Sequence, residues 1–193
     1  GQADLRGVAR LAVLLRRVRP AVLHCHLFHA NLMGRLARLA FPVPRVISTL
    51  HSMAESSRSS ADVRWRDRLY RVTDSLADCT VAVCEAVAGR HAEAGAVRRS
   101  RLRVIPNGVD TRKFRPNPDR RAASEFVWLA AGRLMWKKDY PTLLRAAAML
   151  PGCTLWIAGA GPLDEELRAL AGQLGVKASF LGAREDLPAL MNA

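Results

Sequence analysis

In LAAGRLMWKKDYPTLLRA, residues 129–146, an apolar run reaches a glycine, then one arginine and two lysines, and only then a new periodic apolar pattern. Gly132, Arg133, Lys137 and Lys138 therefore fall at a strand-to-helix turn. The amino end of a helix carries partial positive charge, so cations gathered there are repelled unless an anion lies between. Arg133 offers a planar fork of donors and Lys138 a point charge on a flexible stem, while glycine lets the backbone turn closely. That is chemistry for an anion. Lys137 is the less favoured neighbour.

Two further segments carry the same flavour. IAGAGPLDEE ends an apolar run with Gly159 and Gly161 in the turn, Pro162 suited to the first helical position and acidic residues behind it. Its exposed amides suit a phosphate or the edge of a nucleobase, although GxGP lacks the full dinucleotide fingerprint. VIPNGVD places Asn107-Gly108 where a tight turn is expected.

The elements that must position these groups alternate along the chain. Asp4 to Arg19 has Leu5, Val8, Leu11, Ala12, Leu15 and Val18 at helical spacing among Arg6, Arg10, Arg16, Arg17 and Arg19, and Pro20 ends it. AVLHCH, PRVISTL, CTVAVC and RLRVI read as strands, separated by helices through ANLMGRLARLA, VRWRDRLYRVTDSLA and EAVAGRHAEAG, with HSMAESSRSSAD as a polar loop. EFVWLAA, CTLWIAG and KASFLG continue as strands, with helices through YPTLLRAAAML and PLDEELRALAGQLG and the start of one more at EDLPALMNA. Nearly uniform apolar strands alternating with helices predict an α/β chain of two Rossmann-like parallel-sheet halves. The expected boundaries are 1–114, a Pro-, Asp- and Arg-rich linker at 115–124, and 125–193. Ligands of such halves lie at the carboxyl ends of the strands.

Histidines fall at one such end. His51 follows VISTL, where an imidazole can hydrogen-bond or orient a hydroxyl near neutral pH. His24 and His26 share one face of their strand, and with His29 they imitate a metal site. No carboxylate accompanies them, so an edge role for His26 or His29 is expected, and no metal.

The formal net charge is +13, with 20 of the 30 Lys and Arg and 9 of the 17 Asp and Glu in residues 1–113. Such a field favours anionic partners; an arginine-biased composition, 26 of the 30 cations, is the plainer source. No aromatic-interleaved basic surface or DNA-reading helix pattern supports nucleic acid. Four scattered cysteines without a CxxC pair fit a reducing compartment. With no leader pattern and no apolar run near ~18 residues, a cytoplasmic globular chain is expected.

Taken together, VIPNGVDTRKFRP, AAGRLMWKKDYPTLLRA and IAGAGPLDEELRALAGQLG, with the earlier VLHCHLFHANLMGRLARL and VISTLHSM, closely resemble the family 4 (group 1) glycosyltransferases of the two-domain GT-B fold. The resemblance implies transfer of a sugar from a nucleotide-diphosphate-sugar to an acceptor hydroxyl, on a saccharide or a lipid-linked saccharide, with retention of configuration and without a cofactor or metal. It implies that Arg133 and Lys138 hold the donor diphosphate, with Gly132, Gly159, Gly161, Pro162, Asn107 and Gly108 on the donor side. His26, His29, Thr49 and His51 fall to the acceptor side, and His51, Arg133 and Lys138 to catalysis. The family's glycine-rich loop would precede Gly1 and its paired glutamates would follow Ala193. An internal fragment lacking both ends, inactive alone and with incomplete halves, is therefore expected. The competing readings are a GT-B epimerase or phosphorylase acting on sugar nucleotides or phosphates, and a non-catalytic anion-binding module. The basic first part also suggests peripheral contact with an anionic membrane at its inner face, led by Arg10, Arg16, Arg17 and Arg19.

Overall fold

In the computed structural model, which describes residues 5–53, 60–117 and 126–192, the basic amphipathic pattern forms helix α1 (Leu5–Val18). A residue ahead of proline is disfavoured in the helical region, and Arg19, before Pro20, leaves the helix with φ 49° while its N–H still donates to the Leu15 carbonyl at 2.7 Å. Leu15 is buried against Ala37, Val43 and Val46.

The chain divides into two units, Gly1–Gly108 and Val109–Ala193. The first continues as β1 (Val22–His26), α2 (Phe28–Ala40), β2 (Arg45–Leu50), α3 (Ser60–Thr73), β3 (Cys79–Ala82), α4 (Glu85–Glu93) and β4 (Leu102–Val104). Its four strands pair in the order β1-β2-β3-β4, all parallel. The second unit runs β5 (Val127–Ala131), α5 (Tyr140–Ala148), β6 (Thr154–Ala158), α6 (Asp164–Gln173), β7 (Lys177–Gly182) and α7 (Leu187–Leu190), with the parallel order β5-β6-β7. The α/β expectation of two parallel sheets holds in every strand.

Helix α2 presents a stripe that the apolar pattern alone does not explain. Phe28 and Leu32 join the core of Leu50, Tyr70, Ala82 and Val87. On the same helix Asn31 and Arg35 are wholly buried. Burying a guanidinium is costly unless its donors are satisfied. Arg35 Nε donates to Ser48 Oγ at 3.0 Å, Nη2 to Thr80 Oγ1 at 3.0 Å and Nη1 to Thr73 Oγ1 at 3.3 Å, with the guanidinium 5.0 Å from the Tyr70 ring centre. One residue thereby ties α2 to β2, α3 and β3. Just ahead of β3, Asp78 accepts from Arg38 Nη1 at 2.8 Å and from the Val46 N–H at 2.7 Å, fixing the register of that strand against β2.

Three expectations need correction. The polar loop ends earlier than its composition suggests: Ser60, Ala61 and Asp62 are the first turn of α3, where an acidic residue is favourable, and Asp62 pairs with Arg66 at 3.1 Å. The rest of that loop, residues 54–59, lies outside the described residues. Asn107-Gly108 makes no tight turn; Gly108 has no positive φ, and the turn falls at Asp110, whose carbonyl accepts from Lys113 and Phe114. The division between units comes before the linker expected at 115–124: Asn192 Nδ2 donates to the Arg115 carbonyl at 3.1 Å and Asn192 Oδ1 accepts from the Asn117 N–H at 2.8 Å, so residues 115–117 belong with the second unit. Residues 118–124 lie outside the described ones.

Helix α2 meets β1 at Gly34, where a methyl group would overlap the Cys25 sulfur. Overpacking of this kind costs roughly 1–3 kcal/mol. Gly34→Ala should lower the free energy of unfolding, read from urea titration, by that amount, and Cys25→Ala added to it should restore most of the loss. Equal stability of Gly34→Ala and the parent would show that the helix has room to lift.

Candidate functional site

The second unit brings its expected residues to the carboxyl end of its sheet. β5 leaves through Gly132 and Arg133, and β6 through Gly159, Ala160 and Gly161. The two exits are laced together: Gly132 N–H donates to the Ala158 carbonyl at 2.9 Å, Leu134 N–H to that of Ala160 at 3.0 Å, and Leu163 N–H to that of Leu134 at 3.2 Å. A Cβ at Gly159 would collide with the Gly132 carbonyl and one at Gly161 with that of Leu134. Both glycines are therefore required by close backbone approach rather than by turn geometry alone. Pro162 is not at the first helical position as expected. It sits in the turn closed by the Asp164 N–H to the Gly161 carbonyl at 3.2 Å, a second-position proline that its fixed φ favours.

Between the exits the cations stand free. Residues 136–138 form one short 3-10 turn, after which Asp139 takes φ 48° to start α5. Arg133, Lys137 and Lys138 are exposed. Among the described residues the side chains of Arg133 and Lys138 have no hydrogen bond or ion pair, whereas Lys137 Nζ lies 5.4 Å from the Trp136 ring centre. The Lys138 stem runs beside Gly132. Buried Tyr140 donates its hydroxyl to the Gly132 carbonyl at 3.0 Å, and burial raises its pKa, which keeps that donor protonated. An arginine and a lysine held unpaired beside a rigid glycine crossing can take up an anionic oxygen without first breaking a partner.

In the first unit the histidines gather where β1 and β2 end. Pairing sets His26 opposite Thr49. His26 Nδ1 and His51 Nε2 share a hydrogen bond of 2.9 Å, and His24 Nε2 lies 2.8 Å from Thr49 Oγ1. The His24 and His26 rings are 4.3 Å apart, and partial burial, then the charges of His26 and His51, lower the His24 pKa. His29 is not part of this group; it begins α2 with its ring 5.3 Å from that of Phe28. No set of three or more His, Cys, Asp or Glu able to hold a metal occurs among the described residues. Asn107 and Gly108 follow β4 as exposed extended chain.

Residues that the sequence left unassigned hold this end in place. Thr49 passes its carbonyl to Asn31 Nδ2 at 2.9 Å and to the Leu27 N–H at 3.4 Å, with Leu27 at φ 70°. Leu50 passes its carbonyl to the Val83 N–H at 3.2 Å. The signal for Asn31 was present, since it shares a helical face with Phe28 and Arg35, positions where a solvated residue would not belong. The His26–His51 bond had no signal in sequence, because only strand register brings those rings together.

Residues 1–113 match the profile of Glycosyltransferase Family 4. The chain is 27% identical over 218 residues to the UDP-Gal:alpha-D-GlcNAc-diphosphoundecaprenol alpha-1,3-galactosyltransferase of Escherichia coli, with 98% of this chain and 54% of that protein covered. It is 32% identical over 178 residues to the GDP-mannose-dependent alpha-(1-6)-phosphatidylinositol monomannoside mannosyltransferase of Mycobacterium tuberculosis, covering 81% and 46%. Among solved structures it superposes on Anabaena Alr3699/HepE in complex with UDP and glucose with a TM-score of 0.78 at 22% identity, covering 95% of this chain and 53% of that one. The chain thus spans about half the length of the relatives it matches. With more than half of its residues in the family profile, and two parallel-sheet units of the GT-B type, the chain belongs to glycosyltransferase family 4.

Proposed function

We propose that the protein of which this chain is a part transfers a sugar from a nucleoside-diphosphate sugar to an acceptor hydroxyl, with retention at the anomeric carbon and without a metal ion. The observation that carries the reading is the pair Arg133 and Lys138, exposed and unpaired at the glycine crossing of the second unit. As the bond between anomeric carbon and β-phosphate oxygen breaks, negative charge grows on the leaving diphosphate, and cations already in place stabilise it. The new bond joins the anomeric carbon to the acceptor oxygen, whose proton is released. Gly132, Gly159 and Gly161 let the backbone come close to the donor, and Pro162 fixes the turn beside them. In the first unit His51, bonded to His26, orients the acceptor hydroxyl, and Thr49 is tied to the neighbouring His24.

The relatives bearing UDP-Gal and GDP-mannose in their names support a UDP- or GDP-sugar donor, and both names carry lipid-linked acceptors. A lipid-linked saccharide acceptor requires access to a membrane surface. No helix among the described residues is long and apolar enough to cross one. Helix α1 offers another means: Arg10, Arg16 and Arg17 are exposed beside Val13, Leu14 and Val18, with Arg19 just beyond, a cationic and apolar outer face suited to an anionic leaflet. We place the enzyme in the cytoplasm, peripheral at the inner face of the membrane.

In the full-length enzyme, Arg133→Ala and Lys138→Ala should each lower kcat/KM by about 2–4 kcal/mol in transition-state terms. A thermal-shift panel of UDP-, GDP- and ADP-sugars should register one donor class in the parent and a weakened response in both variants. Unchanged turnover in both variants would remove the diphosphate assignment.

The same enzyme should cosediment with phosphatidylglycerol-containing vesicles at low salt and be released as salt rises. Replacement of Arg10, Arg16, Arg17 and Arg19 by Gln together should abolish cosedimentation. Equal recovery with neutral vesicles would assign the arginines to composition alone.

A further inference from the structure

Several buried titratable groups take no part in the proposed transfer, His91 among them. His91 lies in α4 at 2% exposure, its ring edge-on to Tyr70 at 5.9 Å between centres. Its Nε2 is 3.3 Å from the Ser52 carbonyl, one residue past His51, and its Nδ1 is 3.3 Å from Arg90 Nη1. Arginine can only donate, so Nδ1 must accept and the ring proton must sit on Nε2, aimed at Ser52. Arg90 is itself fixed by Asp67 of α3, with contacts of 2.5 and 2.7 Å. Donation therefore runs from Arg90 to His91 and from His91 to the Ser52 carbonyl, while Arg90 also donates to a carboxylate on another helix. Upstream of His51 the strand end is already held through the Thr49 and Leu50 carbonyls. Downstream, His91 is the side chain that holds the backbone among the described residues.

We propose that His91 is a positioning residue for His51: by donating from Nε2 to the Ser52 carbonyl, it fixes the far side of the turn that carries the acceptor-orienting imidazole. The role of His91 rests on the transferase reading, while its hold on Ser52 does not. The groups facing the ring are Asp67 (4.0 Å from Nδ1) and Arg66 of α3, Arg90 of its own helix, Tyr70 and the Ser52 carbonyl. Burial first, then the Arg90 charge, lower the His91 pKa, against the opposing pull of the Ser52 bond and Asp67. The folded protein thus favours the neutral ring. Its contribution is present above the ordinary histidine value of about 6.5 and is lost as pH falls below it, because the unfolded chain then binds the proton more readily. Protonation would also place an N–H against the Arg90 guanidinium and disturb the relay.

The test uses the full-length protein with 15N-labelled histidine, read by ring proton–nitrogen correlation NMR, beside His91→Phe and His91→Gln. His91→Phe keeps the aromatic contact with Tyr70 and removes both nitrogens; His91→Gln restores an N–H donor. The parent at pH 7.5 should show His91 protonated on Nε2. His91→Phe should shift the His51 ring resonances and lower kcat about 10-fold, with the donor KM changed less than about 2-fold, and His91→Gln should recover more than half of both effects. A His91 proton on Nδ1 in the parent, or unmoved His51 resonances in a folded His91→Phe protein, would overturn the proposal. The double variant Asp67→Asn/Arg90→Gln removes the two charges on the Nδ1 side and serves should His91→Phe not fold; a His91 proton moved there to Nδ1 with unmoved His51 signals overturns it equally. Because the resonances need no turnover, failure of the transferase reading would show separately, as shifted His51 signals in a protein that transfers no sugar.

Discussion

Parallel pairing is the constraint on which the rest of this molecule depends. Every strand of both units pairs in parallel, so within each unit all strands leave by the same edge. Each chain crossing must then return along a helix before the next strand begins. The groups that could do chemistry are consequently forced into the exits of β1 and β2 in one unit and of β5 and β6 in the other. What distinguishes the two ends is how the backbone is held there.

In the second unit the hold is made by backbone alone. Two glycines permit the β6 exit to lie against carbonyls of the β5 exit, and Tyr140 closes the arrangement from below through the Gly132 carbonyl. No side chain of the anion-seeking residues is spent on structure, which leaves Arg133 and Lys138 available. In the first unit the hold is made by buried polar side chains. Asn31, Arg35 and His91 each lie at 2% exposure or less and each reaches across to a neighbouring element. Such residues stabilise less per atom than a well-packed leucine, but they fix direction, because a hydrogen bond satisfied in one geometry is lost in others. The strand exit that carries the His26–His51 pair is held by direction more than by apolar contact.

The alternation of strands and helices was legible because its causes are local. Apolar runs of strand length, helical periodicity in α1 and α5, and prolines at the ends of elements all act within a few residues. Gly132, Arg133 and Lys138 could be picked out as a group for the same reason, since they fall within a few residues of one another. Where local chemistry misled, it was at Asn107-Gly108, whose turn propensity is not used, and at Ser60 to Asp62, whose polar composition served equally well for the first turn of a helix.

What the sequence determined by itself was the class of fold and the family, because each depends on residue types and patterns at short spacing. The tertiary structure alone decided that His26 meets His51, that His24 turns to Thr49, that Gly159 and Gly161 are required by carbonyls of the segment leaving β5, and that His91 reaches Ser52. Those pairs are separated by 25 to 39 residues in the chain where hydrogen bonds join them. No local propensity spans that distance; only strand register and the seating of helices on the sheet bring such atoms together.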